Sequence, residues 1–211
     1  MCPMSVARRL LTLAALLSIA GTAAAQMNRP RQHQDRAVQG APIEDLVKQL
    51  ASPDPAKRLQ AVKGLGGSKD PKAIEHLVKA LGDSDVRVQA KAVQMLGDMR
   101  ATEATQVLLQ YLLLRTTEPN MKQLIIVSLG KIGDPSAARP LTELLRQDLD
   151  VDTRGTVIFA LGEIGAPESV ETLDHIAQTD QDQTLRRVAS EAKSKIQGHH
   201  ETFSRGTDTR K

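Results

Sequence analysis

Aromatic side chains are nearly absent from this sequence. Among its 211 residues there is no tryptophan, one tyrosine and two phenylalanines, although hydrophobic residues make up 40% of the chain. A core of this composition must consist of Leu, Val, Ile and Ala, which suits thin layers of closely spaced helices better than a broad β-sandwich. The length allows one medium domain, and the hydrophobic content excludes a wholly disordered chain.

Cysteine is also missing, except at the second position. Cys2 lies in a segment with the layout of a secretory signal peptide: Arg8-Arg9, the apolar run "LLTLAALLSIAGTAAA" and a small-residue cleavage site before Gln26. The alternative is an uncleaved membrane anchor, for which the apolar run is short compared with the roughly 20 residues that cross a bilayer. Cleavage would leave no thiol, which excludes disulfides, Cys metal sites and a Cys nucleophile. We predict a periplasmic or secreted protein with no stable membrane span after cleavage.

No strong excess of charge of one sign is present. The chain has 28 basic and 25 acidic residues, a net charge of +3, and the positive excess lies at the two ends. Residues 42–196 carry 20 basic and 22 acidic residues. Because a nucleic-acid-binding body needs a basic patch, we expect no nucleic-acid partner.

A Leu-Gly pair recurs along the chain. The leucines are at positions 65, 96, 129 and 161, so the steps are 31, 33 and 32 residues. A fifth copy, which has lost the Leu-Gly pair, falls near Lys193. A period of this length predicts a repeat array.

Each repeat contains two amphipathic helical patterns, which we call helix A (for example "PKAIEHLVKAL") and helix B (for example "MKQLIIVSLG"). Asp70-Pro71 and Asp134-Pro135 have the cap-then-proline order of a helix start. We expect Pro140 to kink the fourth helix A. The glycine after each repeated leucine should end or bend helix B, because glycine adopts the left-handed conformation without strain.

Neither helix of such a pair can bury its apolar face alone, whereas stacked pairs bury a continuous core. The prediction is an all-α superhelix, a HEAT-like α-solenoid of about five helical hairpins over residues 42–196. It would be preceded by a signal peptide (1–25) and a disordered linker (26–41) and followed by a disordered basic tail (197–211).

The starts of helix B share a charge pattern. When the five copies are aligned on Arg58, Gln89, Lys122, Arg154 and Arg186, an acid stands four residues earlier in each: Asp54, Asp85, Glu118, Asp150 and Asp182. These acids are typical of helix N-caps. A calcium ladder is the alternative, but repeats roughly 10 Å apart are too distant to share an ion with ligands at about 2.4 Å. The basic column itself could bind an anionic partner or form a structural ladder with the acids, and the joint recurrence favours the ladder.

The repeated motif resembles a known family. "LGKIGDPSAARPLTELL" and "LGEIGAPESVETL" are similar to the HEAT-like repeats of the phycobilisome lyase type, and the resemblance covers about 42–196. It implies an α-solenoid that serves as a binding scaffold. Some relatives are enzymes or partners of enzymes: phycobilin lyases attach or remove chromophores, and deoxyhypusine hydroxylase binds two irons through His-Glu pairs. The only His-Glu pair here is His200-Glu201, which does not supply the hydroxylase ligand set.

No catalytic constellation stands out in the sequence. There is no Ser-His-Asp order, phosphate-binding loop or carboxylate pair, and His199-His200-Glu201 in the polar tail is more typical of a solvated coil than of a metal site. We therefore predict no catalytic, cofactor-binding or metal-binding residue, no cofactor and no enzymatic activity. The alternative is an enzyme or enzyme subunit resembling the phycobilin lyases or the di-iron hydroxylase.

The repeats differ on one side of helix B. Two and five residues after the aligned position, repeats one and two are polar (Gln60, Lys63, Lys91, Gln94), whereas repeats three and four are mostly apolar (Leu124, Val127, Thr156, Phe159). In related solenoids helix B lines the concave face, so this change predicts an apolar patch that binds a partner. Tighter packing in the central repeats is the alternative, and the exposure of Val127 and Phe159 decides between them.

The sequence therefore predicts a non-catalytic scaffold that binds a protein or peptide outside the cytoplasm. The predicted binding residues are Leu124, Val127, Thr156, Phe159, Lys91 and Gln94. The sequence leaves the oligomeric state open.

Overall fold

A computed structural model describes the backbone of residues 41–114 and 116–207 and the side chains up to residue 198. The predicted signal peptide, and the predicted linker except Ala41, lie outside the described residues. The described part contains ten α-helices, three short 3-10 turns and no strand. The helices are α1 (Ile43–Leu50), α2 (Pro55–Ser68), α3 (Ala73–Ala80), α4 (Val86–Asp98), α5 (Thr105–Leu113), α6 (Pro119–Ile132), α7 (Ala138–Leu144), α8 (Val151–Ile164), α9 (Val170–Thr179) and α10 (Gln183–Thr207).

The ten helices form the five predicted hairpins. Odd-numbered helices are helix A and even-numbered helices are helix B; each A packs on its own B, and each B packs on the B of the next repeat. The repeated leucines fill the core between them and are fully buried: Leu65, Leu96, Leu129 and Leu161. The all-α superhelix is therefore confirmed. None of the described helices combines the length and apolarity needed to cross a membrane.

Acidic side chains cap four of the five B helices, as predicted. The Asp54 carboxylate accepts the backbone N–H of Ala56 at 2.9 Å, and the Asp150 carboxylate accepts that of Thr153 at 2.8 Å. Asp85 and Asp182 make the same kind of bond. Glu118 makes no side-chain cap bond at the start of α6, because a glutamate is one methylene too long for the favoured cap geometry.

The glycines of the Leu-Gly pairs do not end helix B, so the first of the two predicted roles is wrong. Gly130 and Gly162 lie inside α6 and α8, where they allow the next helix B to approach closely. A Cβ atom added to Gly130 would lie 3.0 Å from the Cα of Ala160, and one added to Gly162 would lie 2.8 Å from the Cβ of Ala192. Helices α6 and α8 end three residues later, at Gly133 (φ 73°) and Gly165 (φ 76°), which adopt the left-handed conformation.

Pro140 lies in the first turn of the α-helical part of the fourth helix A. A 3-10 turn (Pro135–Ala137) comes first, α7 begins at Ala138, and Pro140 is its third residue. Its missing N–H therefore falls in the first turn, where no intrahelical acceptor exists. The same 3-10 turn precedes α5 and α9, which have Val107 and Thr172 at this position. The break is thus a property of the repeat and not of the proline.

The last helix continues past the predicted end of the domain. Helix α10 runs to Thr207, so its backbone extends into the stretch 197–211 that the sequence assigns to a tail, and the disorder of that tail stays a prediction. This stretch has no proline, and a glycine in a helix costs only about 1 kcal/mol, so the helix can continue from its packed part, which reaches the buried Ile196. Residues 208–211 and the side chains of His199-His200-Glu201 lie outside the described part.

Candidate functional site

Two rows of side chains run along the B helices on the side away from the core. They stand two and five residues after the aligned position, and a helix places them opposite the buried positions three, four and seven residues after it. We call these rows the B face. Its members are Gln60, Lys63, Lys91, Gln94, Leu124, Val127, Thr156, Phe159, Val188 and Glu191.

The predicted binding residues differ in exposure. Phe159 is 54% exposed, whereas Leu124, Val127 and Thr156 are half-buried, and Leu124 packs against the core. The structure thus brings the predicted apolar residues onto one face, but only the phenylalanine ring stands out from it. Whether they bind a partner stays a prediction.

A groove beside Phe159 was missed by the sequence analysis. It has a volume of about 180 Å³, lies between α8 and α10 and is lined by Phe159, Gly162, Glu163, Val188, Glu191, Ala192 and Lys195. Gly162 and Ala192 leave it open because they have little or no side chain. Val188 stands at the same repeat position as Leu124, so extending the row to the fifth repeat would have found it.

The charged side chains around this groove are paired with one another. Lys195 binds Glu163 across the two helices, with 2.6 Å between Nζ and Oε1. Within α10, Arg187 binds Glu191, which lies one turn after it, with 2.7 Å between Nη1 and Oε1. The rim is therefore close to neutral and the groove itself is apolar.

Lys91 and Gln94 lie on the B face of the second repeat, where both are half-buried. The Lys91 ammonium donates to the Gln94 side-chain oxygen at 2.6 Å. Since the amide is neutral, this bond orients the lysine without cancelling its charge. The B face thus has a positive charge at the second repeat and an apolar surface at the third and fourth.

The basic column at the starts of the B helices is mainly structural. The guanidinium of Arg58 donates to both Asp83 oxygens at 2.7 and 2.8 Å and to the Ser52 carbonyl at 3.0 Å. The guanidinium of Arg154 donates to one oxygen of Asp180 at the last junction. These bonds join repeats one to two and four to five. The arginines thus pair with aspartates, but with those of the following repeat and not with the acids that precede each arginine in its own repeat. Lys122 makes no comparable bond within the described residues.

Acid should weaken this ladder. The hydrogen bond from Arg58 lowers the pKa of Asp83, and hydrogen bonds from the Arg87 side chain and backbone lower the pKa of Asp85 to about 2. A carboxyl with a lower pKa in the folded state stabilises the fold above its unfolded value and loses this contribution as the pH falls through the folded value. We expect the urea midpoint to be constant near neutral pH and to fall as the pH drops below 3.8, the ordinary aspartate value, through the lowered pKa values of Asp83 and Asp85.

The control for this prediction is Asp83→Asn, which keeps the shape but cannot ionise. It should lower the urea midpoint at neutral pH and flatten the fall at low pH. Parallel profiles for the two proteins would contradict a role for the Asp83 carboxylate in the acid response.

A larger groove of about 750 Å³ lies near the start of α8, and Arg146, Arg154, Glu171 and His175 are among its lining residues. Two of its charges are paired with neighbouring acids: Arg146 with Glu143 and Arg154 with Asp180. Within the part of the chain that the structure describes, no three His, Asp or Glu side chains are grouped so as to hold a metal ion. This groove therefore shows no ligand set for metal chemistry.

Comparison with known proteins supports the fold. A family model described as HEAT repeats matches residues 43–118 and 109–193, while no curated protein matches significantly. Among solved structures, the complex of CpcE and CpcF of phycocyanin lyase from Nostoc sp. PCC7120 is similar at 21% identity and a TM-score of 0.60, over 74% of this chain and 65% of that chain. An engineered protein is similar at 19% identity and a TM-score of 0.54, over 79% and 88%.

The two solved structures show the fold alone at these identities, and this chain spans only 65% of the length of the lyase chain. The resemblance to the HEAT-like repeats of the phycobilisome lyase type is confirmed at that level. The family model covers most of the sequence, from residue 43 to residue 193. The chain belongs to the HEAT-repeat family.

Proposed function

We propose that this protein is a non-catalytic scaffold that binds another protein or a peptide through its B face, outside the cytoplasm. The observation that carries the proposal is Phe159, an aromatic side chain that is 54% exposed beside an apolar groove of about 180 Å³. Exposed aromatic residues next to pockets are typical centres of protein interfaces.

The architecture supports this function. In HEAT arrays each repeat contacts only the repeats before and after it. The remaining side of each repeat stays exposed, and these sides together form a long, continuous surface. The similar phycocyanin lyase structure is itself a complex of two chains, which favours a protein partner here. The signal-peptide layout of residues 1–25 supports a location outside the cytoplasm, and recovery of the native protein from the periplasmic fraction would test it.

Replacing Phe159 by aspartate should abolish partner binding. The change removes the exposed ring and places a carboxylate at the apolar groove, while the buried core is untouched. The measurement is capture of the native partner from periplasmic extract, identified by mass spectrometry and then confirmed with purified proteins. We expect the partner to bind the wild type and to be lost with Phe159→Asp.

The matched control is Val151→Asp in the same helix. Val151 is 48% exposed, but it is the first residue of α8, away from the groove, where an acid is compatible with the helix dipole. It should keep the partner. Equal capture by Phe159→Asp and the wild type would show that the B face is not the binding surface.

The structural likeness to a lyase chain favours one second candidate, a subunit of an enzyme. This candidate predicts a bound cofactor or metal in protein purified from its source. Stoichiometric iron or a covalently bound chromophore would support it and contradict the scaffold.

A further inference from the structure

The B face changes character along the array. Lys91 lies on the second repeat, Leu124 and Val127 on the third, and Phe159 with its groove on the fourth and fifth. A partner segment that follows the helix stack therefore meets a positive charge at one end and an apolar pocket at the other.

The positive end is suited to bind a carboxylate. Among the described residues the Lys91 ammonium is bonded only to the neutral Gln94 amide, at 2.6 Å. A lysine ammonium has three donor hydrogens, so two remain for a ligand. At the other end, the ion pairs of Glu163 with Lys195 and of Glu191 with Arg187 cancel the rim charges, so the pocket selects for apolarity and not for charge.

The distance between the two ends limits the partner. Lys91 and Phe159 are two helix-to-helix junctions apart, and packed helices lie about 8–10 Å apart, which gives roughly 16–20 Å. An extended chain advances about 3.3 Å per residue, so about five or six residues bridge the two ends. An α-helix rises about 1.5 Å per residue and would need about twice as many.

We propose that the B face binds an extended acidic-apolar segment of another protein. An Asp or Glu of the segment binds Lys91, and a Leu, Ile, Val or Phe about five or six residues away enters the groove beside Phe159. The residues between them lie over Leu124 and Val127 and are uncharged. This inference rests on the proposed function, since it assigns the chemistry of the partner to the same surface.

Fluorescence anisotropy with labelled synthetic peptides tests the inference. The first probe has Glu and Leu-Leu separated by about six neutral residues, the second has Lys in place of Glu, and the third shortens the spacer to about two residues. We expect the first peptide to bind roughly fivefold more tightly than either of the others, because an exposed charge pair contributes up to about 1 kcal/mol. Added salt should reduce the preference for Glu over Lys.

Two variants assign the preference to Lys91. Lys91→Glu should reverse the order of the Glu and Lys peptides, whereas Lys72→Glu, an exposed change at the start of α3 in the same repeat, should leave it unchanged. Phe159→Asp should abolish binding of all three peptides.

The possible failures are distinguishable. Equal affinity for the Glu and Lys peptides, or no peptide binding at all, would overturn the inference; if Phe159→Asp still loses the native partner, the proposed function survives. If Phe159→Asp changes neither peptide binding nor capture, the proposed function fails and the inference fails with it.

Discussion

Replacing Gly162 by alanine is expected to destabilise the protein, although alanine is the better helix former. The new Cβ would lie 2.8 Å from the Cβ and 3.0 Å from the Cα of Ala192, so α8 and α10 would have to move apart. Backbone atoms cannot turn away as a flexible side chain can. Overpacking of this kind costs about 1–3 kcal/mol, which outweighs the gain of up to about 1 kcal/mol in helix propensity.

Gly155 supplies a control in the same helix. An added Cβ there would lie 3.5 Å from Cδ2 of Leu185, an ordinary contact, so Gly155→Ala should raise the free energy of unfolding by up to about 1 kcal/mol. Urea unfolding followed by circular dichroism measures both variants. An equal rise in stability for both would show that the approach of α8 to α10 tolerates a methyl group.

Replacing Leu129 by alanine should have the larger effect. Leu129 is fully buried in the third repeat, and truncation removes its contacts and leaves a cavity in a layer that joins neighbouring repeats. Such changes cost about 2–5 kcal/mol. Because each repeat is stabilised only by its neighbours, a defect in the middle weakens the link between the two halves of the array. We expect a lower urea midpoint and a broader transition.

The exposed Leu113 gives the matched substitution. It lies at the end of α5 and is 59% exposed, so Leu113→Ala should change the free energy of unfolding by no more than about 0.5 kcal/mol. Hydrogen exchange would show where the Leu129→Ala protein opens. Uniform loss of protection over all ten helices, with a sharp transition, would contradict the expected uncoupling.

The features of the fold that depend on local sequence were predictable. The hairpins follow from the period and from apolar spacing, and the caps of Asp54 and Asp150 follow from residues two or three positions away. The end of the last helix was not predictable from the polar composition of residues 197–207, because a helix that is packed up to Ile196 can extend through residues that would not start one.

The role of the Leu-Gly glycines could not be read from one repeat. Glycine is used both where a helix must end and where two backbones come close, and near the end of a helix the two uses look alike. The distinction depends on the facing residue, which lies about one repeat later: Ser128 for Gly97 and Ala160 for Gly130. Comparing Gly97, Gly130 and Gly162 with that position would have shown small residues, whereas Gly66 faces Met95.

The candidate site was predicted only in part, because the residues that meet there come from neighbouring repeats. Helical spacing alone places Leu124, Val127 and Phe159 on one face. It does not give their exposure, because that depends on how far the neighbouring helix covers each side chain. The groove beside Phe159 is also lined by Val188 and Ala192 from the next repeat. The sequence does not relate these residues to Phe159 unless the packing of the two helices is known.

The contacts between successive B helices have a consequence for how such a chain can grow. Gly97 meets Ser128, Gly130 meets Ala160 and Gly162 meets Ala192. Three successive contacts between B helices, which we call joints, therefore each pair a glycine with a small residue. A duplicated internal repeat would find a matching surface on both sides, and its insertion would lengthen the B face without altering the existing joints. Gene duplication could in this way extend the reach of the protein along a partner in whole repeats, while a gain or loss of one residue within a B helix would turn that joint out of alignment.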